Sequence, residues 1–540
     1  MRAFAALYEA LDTSTKTNDK LAALKRYFEQ ADAESAAWAT YFLIGNKLKR
    51  TVKSGTLRQA AIATSVLQPW LFESSYEVVG DLAETISLLV MDRAATTEGA
   101  PFSDASLPVW VTQRLAPLAT ESPERQLELL PEYWASVPRP ERFLITKLMT
   151  GALRVGVSKA LTLKALAQAR NLDVNVVTQR LMGNWLPTTQ FFDQIAETPS
   201  GGDLRPYPFL LAYAANDPAN ELSDVALWQA EWKWDGIRAQ LVKREGRAAI
   251  WSRGEELVDE AFPDALSHAG QLPDGTVLDG ELIVWRPNAT APEPFASLQK
   301  RLGRKKPSAK MQAEFPVQLL AYDLLENNGV DIRMQPLSAR RHQLEALLAG
   351  DPFKGIQCSP TLMTASWAKL AETRLLAREQ RAEGLMLKRL DSPYGVGRIS
   401  GDWWKWKVAP LTVDCVMIYA QAGHGRRAGL YTDFTFAVWS EPDENGVRTL
   451  VPFAKAYSGL TDAELREVDA WIRKHTLERF GPVRSVTPEL VFELGFEGIN
   501  QSTRHKSGIA VRFPRILRWR RDKPAAEADS LASLGQLLQP

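Results

Sequence analysis

The sequence predicts a multidomain protein: an all-α region over residues 1–200, an α+β domain over 203–408, and a small β-barrel with a C-terminal tail over 409–540. Three observations lead there. The chain has 540 residues, more than one hydrophobic core supports, because cores stop growing near about 250–300 residues. Glycine is unevenly spread, with only seven of the 33 in residues 1–200. The hydrophobic pattern changes at the same place, from helical spacing in front to short strand-like runs behind.

In the front part, Leu21, Leu24 and Phe28 fall on one helical face, and Trp38, Tyr41 and Phe42 form an aromatic patch. Ser158 stands as an N-cap for a helix running to Arg170, and Asp173 as the cap of the next. Pro187, Pro199, Ser200, Gly201, Gly202, Pro206 and Pro208 then break the pattern. The runs ALWQAEWKW, AAIWSR, TVLDGELIVW, PVQLLAYDLL and GLMLKR follow as strands, with the helical LSARRHQLEALLAG among them. From about Leu411, VDCVMIYA and DFTFAVW read as strands joined by the basic loop AGHGRRAG. Thr461 and Glu464 have the spacing of a capping box. LVFEL (490–494) and IAVRF (509–513) are strands again. Five or so short strands with one helix fit a barrel of the oligonucleotide-binding kind, an OB-fold. From Pro524 the chain reads as a loosely held tail.

Composition narrows the function. With 45% hydrophobic and 24% charged residues, the chain is globular rather than disordered. No apolar run approaches the ~18 residues of a membrane span, and MRAFAALYEALDTSTKTNDK lacks the apolar core of a signal peptide. Cys358 and Cys415 are the only cysteines, too few for a disulfide framework or a cysteine-built zinc site. A cytoplasmic protein is expected. Net charge is +1, so any polyanion signal must be local. RLGRKKPSAK (301–310) carries five basic residues and no acid, and 504–523 carries eight against Asp522. Such runs are solvated faces, or phosphate sites when nucleotide chemistry lies beside them.

Several segments suggest that chemistry. In Lys233-Trp234-Asp235-Gly236-Ile237-Arg238 a lysine stands between tryptophans in a strand otherwise suited to burial, where desolvation and neighbouring cations favour a nucleophilic amine. Gly236 is expected to allow a sharp turn that returns Arg238 to the same site. Ser252-Arg253-Gly254 ends another strand. Asp279-Gly280-Glu281 puts carboxylates into an apolar strand, where an unpaired one is costly. Tyr322-Asp323 sets an aromatic face beside an acid. Glu383 and Lys388 bracket an apolar run, and Lys405 and Lys407 point to the same side of a strand. Each alone is compatible with structure. Together they supply a nucleophile, carboxylates for a divalent metal, cations for phosphates and a ring for a base.

In this order the segments resemble the covalent nucleotidyltransferase superfamily of polynucleotide ligases and capping enzymes. GFEGINQSTRHKSGIAVRFPR, the stretch from Arg512 to Lys523, and LITKLMTGALRVGVSKALTLKALA (144–167) are similar to ATP-dependent DNA ligases in particular. The resemblance implies a helical DNA-binding domain (1–200), an adenylation (nucleotidyltransferase) domain (203–408) and an OB-fold domain (409–540). It makes Lys233 the lysine that accepts AMP, and Glu231 just before it a residue that helps recognise adenine. Arg238 and Arg253 become ribose and phosphate contacts, Glu281 an acid on ribose or metal, and Glu383 a metal-binding carboxylate. Tyr322 takes the place of a phenylalanine stacked on adenine. Lys405 and Lys407 resemble α-phosphate lysines, Arg398 a further nucleotide contact, and Arg512 and Lys523 barrel residues that orient pyrophosphate. ATP and Mg²⁺ are the implied cofactors and nicked duplex DNA the partner of a monomer, in repair, replication or recombination. An RNA ligase, a capping-type enzyme or an inactive nucleic-acid-binding relative are the alternatives.

Overall fold

The computed structural model describes the chain except residues 49–50, 66, 91–102, 152, 154, 184, 197–202, 223, 303, 305, 351–352, 364, 424–428 and 539–540. Pro199, Ser200, Gly201, Gly202, Lys305 and most of the AGHGRRAG loop thus lie outside the described residues. The chain gathers into two compact units. One comprises Ser14–Ile44 and Gly156–Val408, the other Met1–Thr13, Gly45–Val155 and Ala409–Pro540.

In the first unit, helices Thr17–Gln30, Ala33–Leu43 and Lys159–Arg170 accompany the α+β core. Leu24 and Phe28 are buried as their spacing expects, while Leu21 is half-buried. Trp38 stacks on Phe42, and Tyr41 meets Trp185 edge-on at 5.5 Å. Ser158 and Asp173 cap their helices as read, accepting from Leu161 N–H (3.1 Å) and Asn175 N–H (2.7 Å).

The core of this unit has two main sheets. In the first, Trp228–Trp234 lies between Thr361–Leu362 and Ala382–Arg389, followed by Trp403–Lys407 and Tyr213–Ala214. In the second, Ile237–Arg244, Thr276–Val284 and Val317–Asn327 run antiparallel between Arg247–Ser252 and Val330–Asp331. Strand alternation sorts their side chains. Trp228, Ala230, Trp232 and Trp234 pack with Trp404 and Trp406 on one face of the first sheet. Glu231, Lys233, Trp403, Lys405 and Lys407, at the alternate positions, take the other face. In the second sheet Leu278, Leu282 and Val284 enter the main core with Leu241 and Leu319. Asp279 and Glu281 therefore face the opposite way. The tryptophan-rich pattern that buries one face is what concentrates charge on the other.

In the second unit, helices include Arg2–Thr13, Ser54–Thr64, Pro123–Ala135 and Arg139–Thr150. Its β region departs from the sequence reading. Nine strands, not five or so, occur among the described residues after Ala409. The long strand Leu411–Ala422 pairs with Tyr431–Trp439 along one edge, and with Val491–Phe496 and then Val483–Val486 along the other. The result is a seven-stranded half-barrel sheet filled by Phe434, Phe436, Phe492 and the helix Asp462–Lys474. Thr461 and Glu464 close the expected capping box.

The expectation of a loose tail is corrected as well. Beyond Pro524 the chain forms the helix Leu531–Gln536, whose Leu534 is fully buried in the half-barrel core. Trp439 holds the same segment, donating from Nε1 to the Ala525 carbonyl (2.8 Å) and from its backbone N–H to Asp529 (2.9 Å). A lone small-residue tail gives no periodic signal strong enough to predict this docking.

Candidate active site

Lys233 is held by one carboxylate. Its Nζ donates to Glu383 Oε2 at 2.5 Å, and Lys407 Nζ approaches the same oxygen at 3.2 Å. Gly384 makes this possible. Its φ is +141°, and a Cβ there would lie 2.3 Å from the Trp406 carbonyl oxygen. The register between Ala382–Arg389 and the lysine strand shifts at this point, between Ala382 and Leu385. Such a bulge re-aims a neighbouring side chain, here Glu383. Burial alone would raise the Glu383 carboxyl, but Lys233 and Lys407 outweigh it and hold it below the usual carboxylate range. Gly236 is needed for space rather than for a turn of unusual hand. A Cβ there would meet the Leu282 carbonyl oxygen at 2.3 Å and Glu281 Cγ at 2.8 Å.

Behind the lysine lie two buried ion pairs. Glu231 accepts from Lys388 Nζ at 2.9 and 3.0 Å and from Gln229 Nε2 at 2.5 Å. Arg238 forks onto Asp279 (2.7 and 3.2 Å) and donates to the Leu210 carbonyl at 2.6 Å. Tyr394 completes this network, donating to Asp279 Oδ2 at 2.6 Å and accepting from Arg238 at 3.2 Å. Tyr322 donates to Asp279 Oδ1 at 3.3 Å, and the Lys388 ammonium lies 4.0 Å from the centre of its ring. Sequence reasoning named Asp279 and Lys388 but missed Tyr394, the second partner of Asp279, and Gln229, which donates to Glu231. The signal was present: a buried strand carrying two acids requires donors from elsewhere.

On the open side the site is cationic. Lys405 is pushed down by burial and then by Lys407, Arg398, Lys233 and Arg253, which places those four cations within electrostatic reach of it. The backbone builds this cluster. Arg253 N–H donates to the Arg238 carbonyl (3.0 Å), and Gly397–Arg398 pairs in parallel with Leu210–Leu211. Such a cluster is suited to several phosphates at once.

Glu281 lies between these groups, half-buried and without a hydrogen-bond partner among the described residues. Desolvation pushes its carboxyl up to about 8, against the pull of Lys233 and Arg238. A raised carboxyl costs stability as pH climbs, because the unfolded chain ionises first. In nucleotide-free protein that cost grows from pH ~4.5 and levels off above pH 8. Glu281→Gln removes it. Its melting temperature should equal that of wild type near pH ~5 and exceed it increasingly towards pH ~8; parallel curves would refute the assignment.

Arg512 and Lys523 belong to the other unit. Arg512 ends the strand Ile509–Arg512, opposite Gly498. Lys523 Nζ donates to Asp414 Oδ2 at 2.8 Å. The basic stretch 504–523 is largely matched by acids from elsewhere in the unit: Arg515 with Glu497, Arg518 with Glu493, and Arg521 with Glu467. Arg301 corrects the reading of 301–310 as a wholly solvated or phosphate-facing run. It is fully buried, forks onto Asp264 at 2.6 and 2.7 Å and donates to two backbone carbonyls.

A lysine that shares a carboxylate with a second lysine, within a cluster of five cations, defines a site of the covalent nucleotidyltransferase class. The chain belongs to the ATP-dependent DNA ligase family. The family's N-terminal region matches residues 1–167, its ATP-dependent DNA ligase domain residues 210–407, and its C-terminal region residues 427–523. A probable DNA ligase of Koribacter versatilis (strain Ellin345) is 31% identical over 98% of this chain and 95% of its own length. DNA ligase 2 of Methanosarcina acetivorans is 26% identical over 98% and 96%. The solved structure Pmar-Lig_PreS3 shares the fold, with a TM-score of 0.59 and 15% identity over 96% of this chain and 99% of that one. Nick sealing by way of adenylation is the function of this family, and the chain is an enzyme of it. Among the described residues no helix is long and apolar enough to cross a membrane.

Proposed function

We propose that Lys233 takes AMP from ATP and that the chain passes it to the 5′-phosphate of a nick in duplex DNA before sealing. The sharing of Glu383 between Lys233 and Lys407 carries this reading. The Lys233 amine attacks the α-phosphorus and pyrophosphate leaves, while the amine's proton passes by way of the Glu383 carboxylate 2.5 Å away to solvent. AMP then moves to the 5′-phosphate, and the 3′-hydroxyl displaces it. Lys405, Lys407, Arg253 and Arg398 neutralise the phosphoryl oxygens, where charge develops in every step. Arg238, held by Asp279, serves ribose or phosphate; Glu231 and Tyr322 serve adenine; Arg512 and Lys523 serve pyrophosphate.

Mg²⁺ fits this site. No cluster of three or more metal-ligating side chains occurs among the described residues, yet Mg²⁺ is commonly held by one or two carboxylates together with substrate phosphates. Glu281, lacking a hydrogen-bond donor, and Glu383 are those carboxylates, and the ion would draw charge from the phosphoryl oxygens. In this reading the half-barrel of 409–540 is the OB-fold domain, 203–408 the adenylation domain and 1–200 the DNA-binding domain. The enzyme grips nicked duplex DNA as a monomer, mainly by its phosphates. A nick-sealing assay with ATP, GTP or NAD on DNA and RNA nicks tests it. Sealing is expected with ATP on DNA; sealing driven by NAD, or confined to RNA, would overturn it.

The exposed Arg304 and Lys306, unlike Arg301, are free to meet DNA backbone. Replacing Arg304, Lys305 and Lys306 with alanine should weaken nick binding and flatten its salt dependence by up to ~0.9 log unit per lost phosphate contact. Self-adenylation should stay within twofold, and an equal fall in both would assign the segment to the ATP site.

A further inference from the structure

Asp414 sits at a junction that the proposed chemistry does not use. It lies on Leu411–Ala422 and is nine-tenths buried. Its Oδ2 accepts from Arg520 Nη1 at 2.5 Å and from Lys523 Nζ at 2.8 Å. Its backbone is gripped from the other side. Asp414 N–H donates to Asp529 Oδ2 at 2.8 Å, and Asp529 N–H donates to the Asp414 carbonyl at 2.8 Å. Asp529 belongs to the docked C-terminal segment, beyond residue 523 where the family match ends. That segment is fixed in turn by Trp439, by the buried Ala528 against Val416 and Val491, and by Leu534 in the core.

The geometry points to a positioning role: we propose that Asp414, clamped by Asp529, fixes the Lys523 ammonium for its work on pyrophosphate. A lysine carries four rotatable bonds and loses much entropy when it must hold one position. A buried carboxylate on a central strand supplies that order in advance, as preorganised stabilisation of a leaving group requires. Arg520 sets the same carboxylate. It donates to Asp414 and, through Nε and Nη2, to Asp522, so the Oδ2 that receives Lys523 is held on two sides. The docked tail thereby takes part in catalysis by holding the strand position from which Asp414 works.

This inference rests on Lys523 acting on pyrophosphate, and the experiment separates the two ideas. Adenylated enzyme is mixed with Mg²⁺ and pyrophosphate, which breaks the phosphorus–nitrogen bond at Lys233 and releases ATP. Discharge is followed against pyrophosphate concentration. Asp414→Asn, which keeps the shape and an acceptor, should raise the half-saturating pyrophosphate about tenfold, the loss typical of one charge-assisted hydrogen bond. Asp529→Asn should shift it in the same direction. Sealing of a nick that already carries AMP, measured below the melting temperature of each variant, should be unchanged in both. In a Lys523→Ala background Asp414→Asn should add no further loss, because coupled residues do not act additively. If Lys523→Ala leaves discharge untouched, the reading of Lys523 fails. If Lys523→Ala raises the half-saturating concentration and Asp414→Asn does not, the positioning role fails. Equal slowing of discharge and pre-adenylated sealing with a lowered melting temperature would make Asp414 a folding residue only.

Discussion

Lys233→Ala protein, incubated with ATP and Mg²⁺, should gain no mass, while the wild type gains one AMP. Nothing else can take the place of this amine. Its strand position is fixed by pairing with Ala382–Arg389, and an in-line attack tolerates little displacement. The neighbouring Lys407 cannot substitute, being directed to Glu383 from a different strand. Lys233→Arg should fail equally, although it keeps the charge and the contact with Glu383, because a guanidinium does not give up its proton at neutral pH. Both variants should still seal a nick that already carries AMP. An adduct on either protein, located by peptide mass mapping, would mean that another residue is the nucleophile.

The second large effect concerns stability. Arg340 and Asp323 are both fully buried and joined by a two-pronged contact, at 2.8 and 2.9 Å, with Arg340 also donating to the Ser392 carbonyl at 3.0 Å. Arg340→Leu leaves Asp323 charged and without its guanidinium partner in the interior. The loss should be about 3–5 kcal/mol, the usual result of removing one partner of a buried pair. Asp323→Leu together with Arg340→Leu should recover part of it, because no unpaired charge then remains. Urea titrations followed by tryptophan fluorescence measure both. A single variant within about 1 kcal/mol of wild type would show that water reaches Asp323 and that the pair is not closed.

Asp323 also shows how far the sequence could be read. Tyr322-Asp323 suggested an aromatic ring beside an acid of the site, yet the two residues serve different ends. A register shift between strands Thr276–Val284 and Val317–Asn327 falls at this pair. Tyr322 then reaches Asp279, whereas Asp323 is matched by a helix 17 residues further on. A shift of this kind leaves no mark on the pattern of apolar residues. Lys233, Lys405 and Lys407 were legible because a charged residue among tryptophans breaks a strong alternation, and Glu383 because it bounds an apolar run. Tyr394 was not, because it stands in a loop, where no periodicity identifies a buried hydroxyl. The strands of 409–540 were undercounted for a related reason: Thr476–Phe480 is largely exposed and carries no buried face to recognise. The docked tail was missed because its hold comes from single residues, Asp529 meeting Asp414 and Leu534 entering the core, and from Trp439 outside it, rather than from a repeating pattern.

The carboxylate shared by two lysines also governs how the enzyme behaves once it is loaded. In the empty site one negative charge answers two ammonium groups, with Lys405, Arg253 and Arg398 close by. Once AMP is attached, the Lys233 nitrogen is neutral and a phosphoryl group with its own negative charge stands beside Glu383. The local charge falls by about two elementary units, which is large in a partly desolvated cleft. A second triphosphate then meets a site whose attraction for it is much reduced. Glu383, relieved of one lysine, still leans on Lys407. If Lys233 carries the AMP as proposed, the adduct guards itself in part: the loaded enzyme meets a nick with weaker competition from the nucleotide that loaded it.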